Sequence, residues 1–466
     1  MIIFWFRQDL RLSDNPGLFE AAKKGAVFPI YILDRREKLG GAERWWLHHS
    51  LKNLDKSLGG KLGIYSGDPE TILLEIAKKN KIEGIYWNRC YTPYQITRDS
   101  KIKQAIKALQ IPCLTFNSSL LWEPMSIAKS DGSSYKIYTP FSRACLQAES
   151  PRSLLPPPPN LRLVDKQSEL DINSLLPIEK WVDNCALDWD VGEDAAEKKL
   201  KIFVREKVSG YKKNRDYPGI EGTSHLSPHL HFGEISPHQI WHSFKQKKDD
   251  DTTCFLSELI WREFSYYQLY NFPDLPKKNF QEKFNHFPWE MDKKKLKAWQ
   301  EGKTGYPIVD AGMRELMQTG YMHNRVRMIV ASFLVKNLLI HWEEGAAWFL
   351  DYLVDGDLAS NSANWQWVAG CGADAAPYFR VFNPVLQGEK FDSEGLYTRH
   401  FVPELASLDK KYLFKPWEAP EEVLKKAGIT LGTTYPKPIV DQALSRTKAL
   451  EAYGAMNEQF YRDQES

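Results

Sequence analysis

The 466-residue sequence has no apolar run near the roughly 18 residues a membrane span requires, and only five apolar residues separate Met1 from Arg7. That is too short for a signal peptide, so a cytosolic protein is expected. The six cysteines (Cys90, Cys113, Cys145, Cys185, Cys254 and Cys371) include no C-x-x-C pair, which argues against a zinc knuckle or a disulfide framework and predicts buried thiols. An excess of one charge is also lacking: 62 Lys+Arg face 60 Asp+Glu, so a polyanionic partner would have to be met by a local basic patch. No G-x-G-x-x-G follows the first apolar run, where Phe6 leads into RQDLRLSDNPG, and no G-x-S-x-G nucleophile elbow is present. Gly302-Lys303-Thr304 looks like the end of a Walker loop, but Lys297 stands where that loop needs its first glycine.

Hydrophobic residues at 42% and charged residues at 26% describe an ordered globular chain. At about 100–200 residues per domain, its length predicts two or three domains. Sixteen tryptophans stand out, a number that core filling alone need not explain. Short apolar runs at 2–6, 27–33, 62–65, 84–87 and 113–116 alternate with helical spacing at 43–58, 70–80 and 94–109. This alternation predicts a parallel, Rossmann-like α/β domain over residues 1–130. Pro151, Pro156–Pro159 and a polar stretch with Trp181 and Trp189 read as a linker over 131–191, and the period becomes helical from 192 to 466.

Three helical patterns place aromatic and polar groups side by side: Asp357, Asn361 and Trp365 at i, i+4 and i+8; Asn324 and Met328 with Arg327 beside them; and Glu258, Trp261 and Arg262 within one turn. Periodicity fits a cavity that stacks a planar ring and three ordinary amphipathic helices equally well. The stretch 211–227 joins basic side chains to a Gly-Thr-Ser loop, a group set that holds phosphates and also suits a surface turn. His225, His229 and His231, interrupted by Pro228, read as structural, as do His238 and His242, so no metal site is expected.

Seven segments in order, FWFRQDLRLSDNPGL, GTSHLSPHLHFGEIS, ELIWREF, KTGYPIVDAGMREL, MHNRVRM, DGDLASNSANWQW and DAAPYFRVFNP, resemble the DNA photolyase/cryptochrome family over nearly the whole chain. The likeness is strongest to its cyclobutane pyrimidine dimer photolyases. The resemblance implies an N-terminal α/β antenna domain and an all-α domain that holds FAD, reduced in the active form. It implies light-driven repair of dimers in UV-damaged DNA by a monomer. By similarity Tyr211, Thr223, Ser224, Leu226 and Ser227 hold the FAD, Asp355, Gly356 and Asp357 border its ribityl and adenine parts, and Arg327 pairs with Asp355. Asn361 matches the position facing flavin N5. Glu258, Trp261, Asn324, Met328 and Trp367 match the lesion pocket, and Arg215 and Arg325 match phosphate contacts. Trp289, Trp342 and Trp365 match an electron-transfer chain.

Tyr321 stands where the family usually has Trp, and Trp87-Asn-Arg-Cys-Tyr-Thr-Pro93 departs from the type associated with some folate-binding members. The implied antenna is methenyltetrahydrofolate or a deazaflavin, with no residues assigned to it. A cryptochrome-like photoreceptor is disfavoured by Asn361, since plant cryptochromes typically carry Asp there and animal ones Cys. It is disfavoured too by the absence of a long polar tail after Trp417. A (6-4) photolyase is disfavoured because Asn324 and Met328 occupy the positions where that group has two His.

Overall fold

The structure, a computed structural model, describes residues 1–165, 170–176, 189–244 and 249–465. Trp181 and Cys185 lie outside them. Two compact units result: Met1–Ser209, Ser224–Pro273 and Val354–Ala359 form one, and Gly210–Thr223, Asp274–Leu353 and Ser360–Ser466 the other.

The first unit is built on a parallel five-stranded sheet of order β3-β2-β1-β4-β5, with β1 (Ile2–Phe6), β2 (Val27–Asp34), β3 (Gly63–Gly67), β4 (Gly84–Asn88) and β5 (Cys113–Phe116). The central strand is buried on both faces, which is why it reads as the unbroken apolar run IIFWF. Ile3 and Trp5 pack with Ile85, Leu73 and Ile102 on one side, while Phe4 and Phe6 pack with Leu18, Trp46 and Leu51 on the other. Ile2 pairs with both Val27 and Gly84, so the chain winds outward in both directions from β1.

Helices α1 (Pro16–Lys24), α2 (Gly41–Ser57), α3 (Pro69–Lys79) and α4 (Pro93–Ala108) follow the strands. Asn15, Asp68 and Thr92 each cap the helix behind them by accepting a backbone N–H, and each is followed by proline at the first helical position. Further on come α5 (Tyr138–Gln147), α6 (Glu193–Ile202), the short α7 (Ser227–His231) and α8 (Asp250–Asn271). Asp249 caps α8, and Asp250 and Asp251 complement its dipole.

The second unit is helical. The elements used below are α9 (Pro307–Thr319), α10 (Asn324–Ser332), α11 (Trp342–Tyr352), α12 (Leu358–Ala369) and α13 (Pro384–Phe391). Its core gathers Trp299, Met313, Val326, Val330, Trp342, Phe349 and Trp365. A Cβ on Gly312 would meet Val326 Cγ1 at 2.4 Å, so glycine is what lets α9 and α10 approach. A Cβ on Gly345 would likewise meet the Trp365 ring at 2.1 Å, which seats that indole directly on α11.

Core filling accounts for part of the tryptophan surplus: Trp5, Trp46, Trp87, Trp299 and Trp342 are among the largest fully buried side chains. The expected buried thiols are found at Cys90, Cys145 and Cys371, whereas Cys113 and Cys254 are only half-buried. Among the described residues no helix is long and apolar enough to cross a membrane.

Candidate cofactor and DNA site

In the first unit, α8 carries the expected Glu258, Trp261 and Arg262. The Trp261 indole is half-buried and stacks on Tyr138 of α5, with ring centroids 3.6 Å apart and planes within 3°. Tyr138 is anchored in turn by its hydroxyl, which donates to the Ser257 carbonyl at 3.1 Å. One face of Trp261 is therefore covered, and a lesion ring stacked on it must use the other. Sequence reasoning missed Tyr138, because nothing local in α5 announces a partner so distant in the chain. Arg262 donates to the Ser119 carbonyl at 2.7 Å, and the neighbouring Glu263 accepts the Trp122 N–H at 3.1 Å. Burial pushes the Glu263 carboxyl up to about 7.

Asp357 sits in the turn before α12, where its N–H bonds the Asp355 carbonyl at 2.7 Å. The helix itself starts at Leu358, so of the expected stripe only Asn361 and Trp365 are helical. The Asp357 carboxylate accepts from the Tyr266 hydroxyl and lies 3.8 Å from His231 Nδ1, while His231 Nε2 is 3.1 Å from Glu43 Oε1. Against the cost of burial, these two carboxylates raise the His231 imidazole to about 10, and the cation in turn holds Asp357 well below the usual carboxylate range. His231 is thus an ion-pair partner. His229 bonds Glu234 through Nδ1, and among the described residues no group of three metal-ligating side chains assembles.

The Gly-Thr-Ser loop leaves Thr223 and Ser224 half-buried and Ser227 exposed; Leu226 is buried, with its N–H 3.4 Å from Ser224 Oγ. Tyr211, also buried, lies under the Arg215 guanidinium at 5.5 Å. Hydroxyl donors along this loop suit phosphate oxygens, and an Asp357 carboxylate held ionised suits the hydroxyls of a ribityl or ribose chain. These residues fit an FAD. Asp355 and Gly356 complete the turn to Asp357.

In the second unit, Asn361 Nδ2 donates to the Ala346 carbonyl at 3.0 Å, so α11 fixes the amide and aims Oδ1 away from that carbonyl. Arg327 donates through Nε to the Met322 carbonyl at 2.7 Å and lies over the Tyr321 ring at 5.1 Å. Asn324 opens α10, exposed, and Met328 follows one turn later, half-buried. The helix starts after Met322 and His323. His323 is the N-cap, its Nδ1 accepting the Arg325 N–H at 3.2 Å, with the side chain buried.

Arg325 pairs with Asp216 at 2.8 Å and covers the Phe391 ring at 4.4 Å. It lines a pocket of about 480 Å³ together with Lys212, Lys213 and Lys390. These four cations form a local basic patch. Trp367 lines a separate cavity of about 320 Å³ with Ser332 and Lys336; burial lowers the Lys336 ammonium to about 8. Trp365 is buried in edge contact with Phe349 at 5.0 Å and Trp299 at 6.2 Å, Trp342 is buried in the same core, and Trp289 packs half-buried against it.

A Rossmann-like sheet ahead of a helical FAD-binding region defines a flavoprotein. The FAD binding domain of DNA photolyase matches residues 255–455 and the DNA photolyase domain matches residues 2–161. The chain is 48% identical over 468 residues to a deoxyribodipyrimidine photo-lyase of Agrobacterium fabrum, with 98% of each covered. A bacterial class III photolyase from Agrobacterium tumefaciens has the same fold, with a TM-score of 0.95 at 47% identity and 98% of both chains covered. Cryptochrome-2 of Arabidopsis thaliana is 37% identical, matching 96% of this chain and 79% of its own length. The chain belongs to the DNA photolyase family.

Proposed function

We propose that this protein is a deoxyribodipyrimidine photo-lyase that repairs cyclobutane pyrimidine dimers in DNA with light. The observation that carries the choice of lesion is the α10 face, where Asn324 cannot titrate, Met328 offers a polarizable apolar surface, and the adjacent imidazole of His323 is withdrawn as a buried cap. Reversal of a (6-4) photoproduct moves a hydroxyl or amino group and calls for an acid such as imidazole near neutral pH. Splitting the two C–C bonds of a dimer calls for no proton donor.

Reduced FAD, when bound, supplies the electron that splits the dimer and recovers it afterwards. The chain's own residues do the rest. Trp261 and Trp367 stack the flipped dimer, Glu258 and Asn324 hydrogen-bond it, and Met328 closes the floor. Arg215 and Arg325 take backbone phosphates. Extruding a nucleotide costs a few kcal/mol, least for a damaged pair, and stacking returns about 1–3 kcal/mol per base. Tyr211, Thr223, Ser224, Leu226, Ser227, Arg327, Asp355, Gly356 and Asp357 hold the cofactor, Asn361 tunes it, and Trp365, Trp342 and Trp289 carry electrons inward from solvent. Residues 1–130 serve an antenna, methenyltetrahydrofolate or a deazaflavin, and 131–191 link them to the helical region 192–466. The protein acts as a cytoplasmic monomer.

The test illuminates the reduced holoenzyme with an oligonucleotide carrying either lesion. Restored thymines from the dimer and an unchanged (6-4) photoproduct are expected. Comparable repair of the (6-4) lesion, or repair of neither, overturns the reading.

A further inference from the structure

Between the indoles of Trp289 and Trp342 stands an imidazole. His341 meets Trp289 at a ring-centroid distance of 5.0 Å and 72°, and Trp342 at 5.5 Å and 32°. It is also the N-cap of α11: its Nδ1 accepts the Glu343 N–H at 3.2 Å. Only a ring with a lone pair on Nδ1 can do this, so the geometry belongs to the neutral Nε2–H tautomer. Trp342 is the first residue of the capped helix, and its indole N–H donates to Asn279 Oδ1 at 2.8 Å.

The charged groups around His341 are few. On α11, the Glu343 carboxylate lies 3.9 Å from Nδ1, with Glu344 next to it in the first turn. On the segment packed opposite, Glu290 follows Trp289 and is paired with Lys448 at 2.5 Å. Burial lowers the imidazole pKa below its ordinary value, so the neutral ring prevails at pH 7.

We propose that His341 gates the outermost electron-transfer step: as a neutral ring it permits positive charge to pass from Trp342 to Trp289, and as an imidazolium it blocks that passage. This rests on the proposed route through Trp365, Trp342 and Trp289. In the step itself one electron leaves Trp289 and fills the vacancy on Trp342, and no bond breaks. A thiol in solution returns the electron to Trp289 and is oxidised, two thiols giving one disulfide.

Protonation acts against this step twice. It sets a positive charge in ring contact with both indoles, one of which must itself become positive. It also removes the acceptor for the Glu343 N–H, so the cap of α11 is lost and the ring is drawn to the Glu343 carboxylate, away from its place between the indoles.

The experiment follows photoreduction of the oxidised holoenzyme by a thiol under blue light, comparing wild type with His341→Asn, which caps a helix and cannot titrate. Taking the ratio of the two rates at each pH cancels the thiol's own pH dependence. The ratio should be constant above about pH 7 and fall as the solution is acidified below the ordinary imidazole value of about 6.5, and His341→Gln in place of Asn should give the same profile. A ratio that stays flat overturns the gate. Trp289→Phe is run alongside. If it abolishes photoreduction while the ratio stays flat, the route stands and the gate alone fails. If photoreduction persists in Trp289→Phe, the route fails and the gate with it. Repair by chemically reduced enzyme should be the same in wild type and in the two His341 variants.

Discussion

Trp261 illustrates how a side chain is held in place by a neighbour the sequence does not advertise. An indole exposed on both faces would lose conformational freedom on stacking a base, whereas one already clamped on Tyr138 presents a rigid wall. The aromatic pair is worth about 0.5–1.5 kcal/mol beyond its buried area. Tyr138→Ala is therefore expected to weaken binding of dimer-containing DNA by about 3- to 10-fold with a smaller effect on undamaged DNA, as read by equilibrium titration in the dark. An equal loss for both would mean that Tyr138 supports the fold generally. Asn361 is placed as the spacing suggested, on the helix with Trp365, but the spacing could not show that the Ala346 carbonyl orients its amide. Glu263 escaped attention beside Glu258 for a similar reason, since its raised pKa comes from burial that only the folded chain supplies.

The strands were legible as elements because a parallel sheet buried on both faces leaves continuous apolar runs, and each of the five observed strands begins within one residue of its expected start. Helix α1 was not read, since only four of its nine residues are buried and its apolar stripe is too short to register. Boundaries shifted by a residue or two: Asp357 stands in the turn just before α12, and His323 caps α10 from just outside it.

The cluster of His231, Glu43, Asp357 and Tyr266, which joins α7, α2 and α8 to the turn before α12, was invisible to spacing. It makes a pH prediction at this scale. The His231 pKa is raised in the fold, to about 10, so its stabilisation is complete below its ordinary value of about 6.5 and is lost as pH rises through the folded value. Asp357 is depressed, so its share is present above the usual carboxylate range and is lost on acidification. Lys336, lowered to about 8, shifts stability the other way in alkali, which makes the difference between two proteins the proper readout. Urea unfolding midpoints should fall more steeply from pH 7 to pH 10 in wild type than in His231→Asn. Parallel slopes would show that His231 is not charged at neutral pH.

For the molecule as a whole, a net charge of +2 gives no long-range pull on DNA, so binding must come from local basic groups. The pocket lined by Arg325, Lys212, Lys213 and Lys390 concentrates cations, with Asp216 the only acid lining it among the described residues. Since Arg325 already pairs with Asp216 at 2.8 Å, a phosphate must compete with a carboxylate for the same guanidinium. If Arg325 takes a phosphate as proposed, this half-buried pair would act as a brake on non-specific binding. Each phosphate neutralised contributes about −0.9 to the slope of log K against log salt. Arg325→Ala should therefore weaken binding whatever the flanking sequence and flatten the slope by about one. Asp216→Asn should act oppositely, freeing the guanidinium and tightening binding about 2- to 5-fold at low salt, with the gain shrinking as salt rises. The two variants need to be measured together, because a general loss of fold would weaken both. Arg325 is a phosphate contact only if the Ala and Asn changes move affinity in opposite directions, and an Asp216→Asn variant that binds no more tightly than wild type removes the competition between carboxylate and phosphate from the account.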